Sequence, residues 1–313
     1  MYEYTLLTTL KLIKNHLNLY NLPNFAYFQN LNLFKHEAIM KKIMILSLAL
    51  LLGTTVKAQR KLEKIWETDS IINMPESVLP DTKAGILYVS IMGNSADEKD
   101  GIGGIGKLDL NGKIIDLDWI HGLNSPKGLA KYGNTLYAAD ITDVVVIDIP
   151  SSKIVRKIPI AGSIFLNDIT VTDKGVVYVS DSRTKKIHQI INNKDVVYLE
   201  NIDGVNGLKA IGKDMYIAGG NKQLLQANDK KELTTIADLP CGGDGIEPIG
   251  NGDFVYSCWA GYIYYVHANG KYELLLDSTA EKKNTADIGY DPVKKIIYVP
   301  TFFKNSVAAY QLK

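Results

Sequence analysis

The sequence predicts an all-β fold, a six-bladed β-propeller closed by pairing of its N- and C-terminal strands, and three observations predict it. First, an aliphatic residue or Met followed by Tyr recurs six times, at Leu87-Tyr88, Leu136-Tyr137, Val177-Tyr178, Met215-Tyr216, Val255-Tyr256 and Ile297-Tyr298. The tyrosines stand 49, 41, 38, 40 and 42 residues apart, the repeat length of a four-stranded blade. Second, each pair lies in a short run rich in β-branched and aromatic residues, such as Gly175-Val-Val-Tyr-Val-Ser-Asp181, which reads as a strand. Two further strand-like runs follow it, as at 261–266 and 271–276 around the turn His267-Ala-Asn-Gly270. Third, the chain after the sixth Tyr holds one more strand, 306–312, while the run 62–67 precedes the first inner strand without a partner. Lending that run to the sixth blade closes the ring and removes free sheet edges. Helical solenoids share the period, but these runs lack helical spacing and are cut by Asn-Gly and Asp-Gly turns.

Composition bounds the partners. The 313 residues are 46% hydrophobic and 22% charged, enough apolar material for a sizeable core. Lys plus Arg (35) nearly cancels Asp plus Glu (34), and no basic stripe stands out, so nucleic acid is not an expected partner. A small molecule is.

The first 58 residues differ in kind. Lys41 and Lys42, the apolar run 43–52, and Val56-Lys57-Ala58 are the three parts of a secretory signal, with cleavage expected after Ala58. The run is short for a bilayer span, so no stable membrane anchor is expected after cleavage, and the product is exported, periplasmic or secreted. Residues 1–39, rich in Leu, Asn, Tyr and Phe without a steady period, are either a mis-assigned start upstream of the true initiator Met40 or a disordered extension. The domain order is therefore 1–39, a signal over 40–58, and the propeller over 59–313. Export would place the two cysteines, Cys241 and Cys258, in an oxidising compartment, where either a disulfide or two separate thiols fits the sequence.

The inner strands of a propeller converge on the central channel, so the residues that begin them meet near one end of the axis. Ten to twelve residues before each Tyr, aligned segments place Glu76, Lys127, Asn167, Asn206, Asp244 and Ala286 at that position. Four of the six are hard oxygen donors, two of them carboxylates whose charge balances a divalent ion, and Ca²⁺ takes six to eight oxygens in irregular geometry. A ring of polar residues around a water-filled channel fits the same pattern, and Lys127 favours it, because an ammonium opposes a cation.

The segments Pro75-Glu76, Leu166-Asn167-Asp168, Val205-Asn206-Gly207 and Gly243-Asp244-Gly245, each leading into a Tyr strand, resemble the SMP-30/gluconolactonase (regucalcin-like) family and, more distantly, the paraoxonase-like lactonases. The resemblance implies one divalent cation, Ca²⁺, held by Glu76, Asn206 and Asp244, with Asn167 added as in the lactonases. It also implies that the cation polarises a lactone or ester carbonyl and activates water while Asp244 takes the proton. Two departures bear on the substrate. Phe165 stands where gluconolactonase-type members carry an Arg that holds a sugar acid, and Asp181-Ser-Arg-Thr-Lys185 has no clear match to the acidic residue that follows the third-blade strand in regucalcin. Lys127, Phe165 and His121, six residues before Lys127, are the candidate substrate contacts.

The expected function is thus an exported metal-dependent hydrolase, lactonase- or esterase-like. A non-catalytic propeller of NHL-like type, binding a ligand or protein, is the alternative. The Gly-rich stretch 100–106 leads into the strand-like Lys107-Leu-Asp-Leu110 rather than a helix, so it is expected to be a flexible hairpin and not a dinucleotide loop, and no Gly-x-Ser-x-Gly nucleophile elbow occurs.

Overall fold

A computed structural model describes residues 40–42, 60–219 and 222–313. The chain divides into two units, Met1–Gln59 and Arg60–Lys313. In the first, residues 40–42 form an exposed helical turn, and the expectations for an extension over 1–39 and for the rest of a signal over 43–58 lie outside the described residues. Among the described residues no helix is long and apolar enough to cross a membrane.

The second unit is the six-bladed propeller. Its first strand, β1 (Leu62–Glu67), precedes blade one, which comprises β2 (Pro75–Asp81), β3 (Ile86–Ile91), β4 (Gly103–Asp109) and β5 (Ile114–Leu123). Blade two is β6 (Pro126–Tyr132) to β9 (Lys153–Pro159), by way of β7 (Thr135–Asp140) and β8 (Asp143–Asp148). Blade three comprises β10 (Leu166–Val171), β11 (Val177–Asp181), β12 (Lys186–Ile191) and β13 (Lys194–Leu199). Blade four comprises β14 (Leu208–Ile211), β15 (Asp214–Gly219), β16 (Gln223–Ala227) and β17 (Leu233–Asp238). Blade five comprises β18 (Ile246–Gly250), β19 (Asp253–Cys258), β20 (Tyr262–Val266) and β21 (Tyr272–Asp277). Blade six has only β22 (Gly289–Asp291), β23 (Ile296–Pro300) and β24 (Val307–Leu312) from the C-terminal end. Each sheet runs in chain order except the last, whose order is β1-β24-β23-β22.

Closure follows the expected route. β1 lies antiparallel to β24, with Leu62 opposite Leu312 and Glu67 opposite Ala308. Trp66 carries the apolar part of this closure, packing at 6.0 Å against the ring of Tyr298 inside the core shared by blades six and one.

The register shows that the six tyrosines are not equivalent. Tyr88, Tyr137, Tyr178, Tyr216 and Tyr298 each immediately precede the strand residue that faces the inner-strand apolar position two places beyond the ring. In blade five Tyr256 itself faces that position, opposite Ile246. A one-residue phase change moves a side chain to the other face of its sheet. Tyr256 therefore leaves the stack of its counterparts, and Val255 takes the place its neighbours give to Tyr. The Gly-rich stretch lies in the β3–β4 hairpin, with 103–106 inside β4. A Cβ on Gly103 or Gly104 would press at 2.6 or 2.5 Å on the carbonyl oxygens of Asn124 and Ile120, so these glycines let the next segment of the chain lie close.

Candidate functional site

The residue that opens or leads into each inner strand is tied both to its own blade and to the next. In blade five, Asp244 N–H donates to Ser257 O (2.8 Å) and Ser257 N–H to Gly245 O (3.0 Å). Ser257 Oγ then donates across to Ala286 O of blade six (2.7 Å). Ser180 does the same for Asn206 O of blade four (2.8 Å), and Asp287 N–H donates to Glu76 O of blade one (2.9 Å). The backbone groups of Glu76, Asn206, Asp244 and Ala286 thus take these bonds, which leaves their side chains free to face the channel.

The position after each ring residue explains how closely the strands converge. Gly128, Gly207 and Gly245 stand there in blades two, four and five, and polar Ser77, Asp168 and Asp287 in blades one, three and six. A Cβ on Gly207 would sit far inside contact distance of Asp244 O, and one on Gly245 would meet Asp287 Oδ1 at 2.7 Å.

Five of the six ring positions line one cavity of about 220 Å³: Glu76, Lys127, Asn167, Asn206 and Asp244. Phe165, Met92, Ala96, Trp259 and Phe302 complete its wall. Glu76, Lys127 and Asp244 are nearly inaccessible to solvent. Three buried oxygen atoms, Glu76 Oε2, Asn206 Oδ1 and Asp244 Oδ1, have no hydrogen-bond partner. Buried polar atoms without partners are rare and costly, because the water each has lost is not replaced. Asn167 donates from Nδ2 to Ser182 Oγ (3.0 Å), which fixes the orientation of its amide. The donor set is two carboxylates and two amides, all hard oxygens, and it fits a Ca²⁺-type ion. Among the described residues no group of three or more His, Cys, Asp or Glu is placed to hold a metal, so the fit depends on the two amides.

Electrostatics describe the same strain. Burial, then the neighbouring charge of Asp287, pushes the Asp244 carboxyl up to about 8, against a partial opposing pull from Asn206. Burial and then Asp244 hold Glu76 well above the usual carboxylate range. Burial lowers Lys127 to about 8, with Glu76 opposing. Lys127 Nζ donates to Ser125 O (3.0 Å) and stands 4.3 Å from the Phe165 ring centroid, whose other cationic neighbour is Arg183 at 4.5 Å.

His121 is the one sequence candidate that does not join this group. It lies on β5, an outer strand, with its side chain largely exposed near Asp118, and does not line the cavity. Proximity in sequence to Lys127 misleads here, because the chain passes from the outer edge of blade one to the inner edge of blade two between them.

Several participants were missed. Asp181 is buried and accepts N–H bonds from Ile164 (2.7 Å) and Phe165 (3.3 Å), so it positions the Phe165 loop. Asp140 clamps Asn124 and Ser125 in the same way ahead of Lys127. An Asp closing the second strand of both blades is the signal that would have found them. The loop between β3 and β4 carries Ala96 into the cavity and reaches blades two and three, through Lys99 to Thr142 and Asp97 to Arg183 (2.7 Å). Cys241 and Cys258 are joined as a disulfide across 17 positions, three residues before Asp244 and one before Trp259.

No protein-family profile matches the chain, and no curated protein matches it in sequence. Among solved structures, streptogramin B lyase is similar in fold, with a TM-score of 0.58 and 12% identity over 81% of this chain and 97% of that one. The fold is thus that of a six-bladed propeller, similar in architecture to streptogramin B lyase.

Proposed function

We propose that the protein is an exported, metal-dependent hydrolase of lactones or esters, working at the ring end of its central channel. The observation that supports it is the convergence of three partnerless buried oxygens, from Glu76, Asn206 and Asp244, on one cavity that also receives Asn167. These four residues would hold a single Ca²⁺, which when bound polarises a carbonyl and makes water more acidic. Asp244, itself one of the four, would also accept the proton of an attacking water, a role supported by its burial and by a carboxylate oxygen without a protein partner. Lys127, held in place by Ser125 O, supplies a positive charge on the cavity wall where negative charge develops on the substrate oxygen. The apolar wall keeps competing water away and strengthens both interactions. Export is supported by the signal-like pattern of 40–58 together with the closed disulfide. The structural likeness to a protein named as a lyase accords with an enzymatic role for the channel.

Lys127 inside the ring favours the second reading, a propeller that binds a ligand without turnover. The two separate in one experiment. The protein is stripped of divalent ions and restored with Ca²⁺, Mg²⁺ or Mn²⁺, then assayed against lactones and esters beside Asp244→Ala. Saturable uptake with metal-dependent turnover, lost by at least about a hundredfold in Asp244→Ala, is expected. Absence of uptake would sink the metal assignment, and uptake without turnover would favour the binding protein.

A further inference from the structure

The cavity is built in two unlike halves. Blades one to five contribute the polar ring, but blade six contributes Ala286, fully buried against Met92 and Phe302. Around that sector stand three rings. Trp259 meets Phe302 edge-on at 5.4 Å and Phe303 at 5.8 Å, and the two Phe rings meet at 4.7 Å. Trp259 and Phe302 line the cavity itself, while Phe303 is exposed behind them.

The chain holds this cluster by unusual local means. Phe302 sits at φ 50°, in the left-handed region that a bulky residue rarely adopts. That turn keeps the Phe302 ring buried in the apolar sector while the adjacent Phe303 is exposed. Trp259 O accepts from Asn284 Nδ2 (2.9 Å), and the preceding residue is the disulfide-bonded Cys258. Trp259 is nevertheless 43% exposed, so an accessible indole is left at the cavity wall. A cavity of about 150 Å³ accepts a benzene ring, and this one, at about 220 Å³, has room for a ring plus a short carbonyl-bearing group.

Resting on the hydrolase reading, we propose that the substrate carries an aryl group that packs on Trp259 and Phe302 in the blade-six sector, with its carbonyl turned toward Glu76, Asn206 and Asp244. Trp259 is then a specificity-determining residue. Sugar lactones, polar on all sides, are poor ligands for this wall.

The test uses matched pairs. Benzyl acetate and butyl acetate have similar leaving groups, and N-benzylacetamide and N-butylacetamide are their hydrolysis-resistant amide counterparts. Binding of the amides to the Ca²⁺-loaded protein is measured by ligand-observed NMR titration, and turnover of the esters by pH-stat. N-benzylacetamide is expected to bind about tenfold more tightly than N-butylacetamide, with the preference lost in Trp259→Ala and largely kept in Trp259→Phe. Equal binding of the two amides, or a preference that survives Trp259→Ala, overturns the proposal. If the aryl amide is preferred through Trp259 but neither ester is turned over, the aryl site stands and the hydrolase reading falls. If both esters are hydrolysed at equal kcat/KM by wild type and Trp259→Ala, the hydrolase stands and the aryl site falls.

Discussion

Removing the Cys241–Cys258 crosslink by the double substitution Cys241→Ala/Cys258→Ala is expected to cost about 3 kcal/mol of stability. The crosslink spans 17 positions, and restricting an unfolded loop of that length removes entropy worth about 3 kcal/mol at 25 °C in the chain-entropy account. The folded site changes less, because Asp244 keeps its backbone bond to Ser257, the residue before Cys258. Equilibrium urea unfolding measures both effects. The double variant is expected to show a lower unfolding free energy together with a larger denaturant slope, since the uncrosslinked denatured chain exposes more surface. Ca²⁺ affinity, measured by calorimetry, is expected to weaken only modestly. An unfolding free energy within 0.5 kcal/mol of wild type, with an unchanged slope, would refute the reasoning (0.5 kcal/mol being about the scatter expected of a substitution that removes nothing important).

Other outcomes follow from the same geometry. Gly207→Ala is expected to displace the Asp244 carbonyl, costing at least about 2 kcal/mol as overpacking and lowering Ca²⁺ uptake; unaltered thermal unfolding and uptake would contradict the close approach. Trp66→Ala is expected to cost about 3 kcal/mol by loosening the closure of β1 on β24, read as faster hydrogen exchange along both strands. The cation-free protein is expected to lose stability as pH rises from about 4 to about 8. Asp244, raised from 3.8 to about 8, together with the raised Glu76, binds protons in the folded state that the unfolded state has already released, so its contribution is full below pH 4 and gone above 8. Saturating Ca²⁺ should flatten that slope, and denaturation midpoints at pH 5 and 8, with chelator or with Ca²⁺, check it.

Much of this molecule was legible in its residues. The aliphatic-Tyr repeat and its turns are local patterns, and strand alternation with short connections translates them directly into blades. The ring was legible for the same reason, since a fixed place in each repeat becomes a fixed place on the channel. Phase within a strand was less so: Tyr256 looks like its five counterparts in sequence, and only pairing with Ile246 shows it facing the other way.

The sequence by itself therefore determined the blade count, the borrowed strand 62–67 and the identities of Glu76, Lys127, Asn167, Asn206, Asp244 and Ala286 around the axis. Only the tertiary structure decided that three of their oxygens lack partners, that His121 stands apart, and that Trp259 and Phe302 share their cavity. Periodicity places backbone positions, because every repeat obeys the same strand geometry. It does not place loops, whose conformations depend on single events such as the left-handed turn at Phe302 and the bond from Cys241 to Cys258.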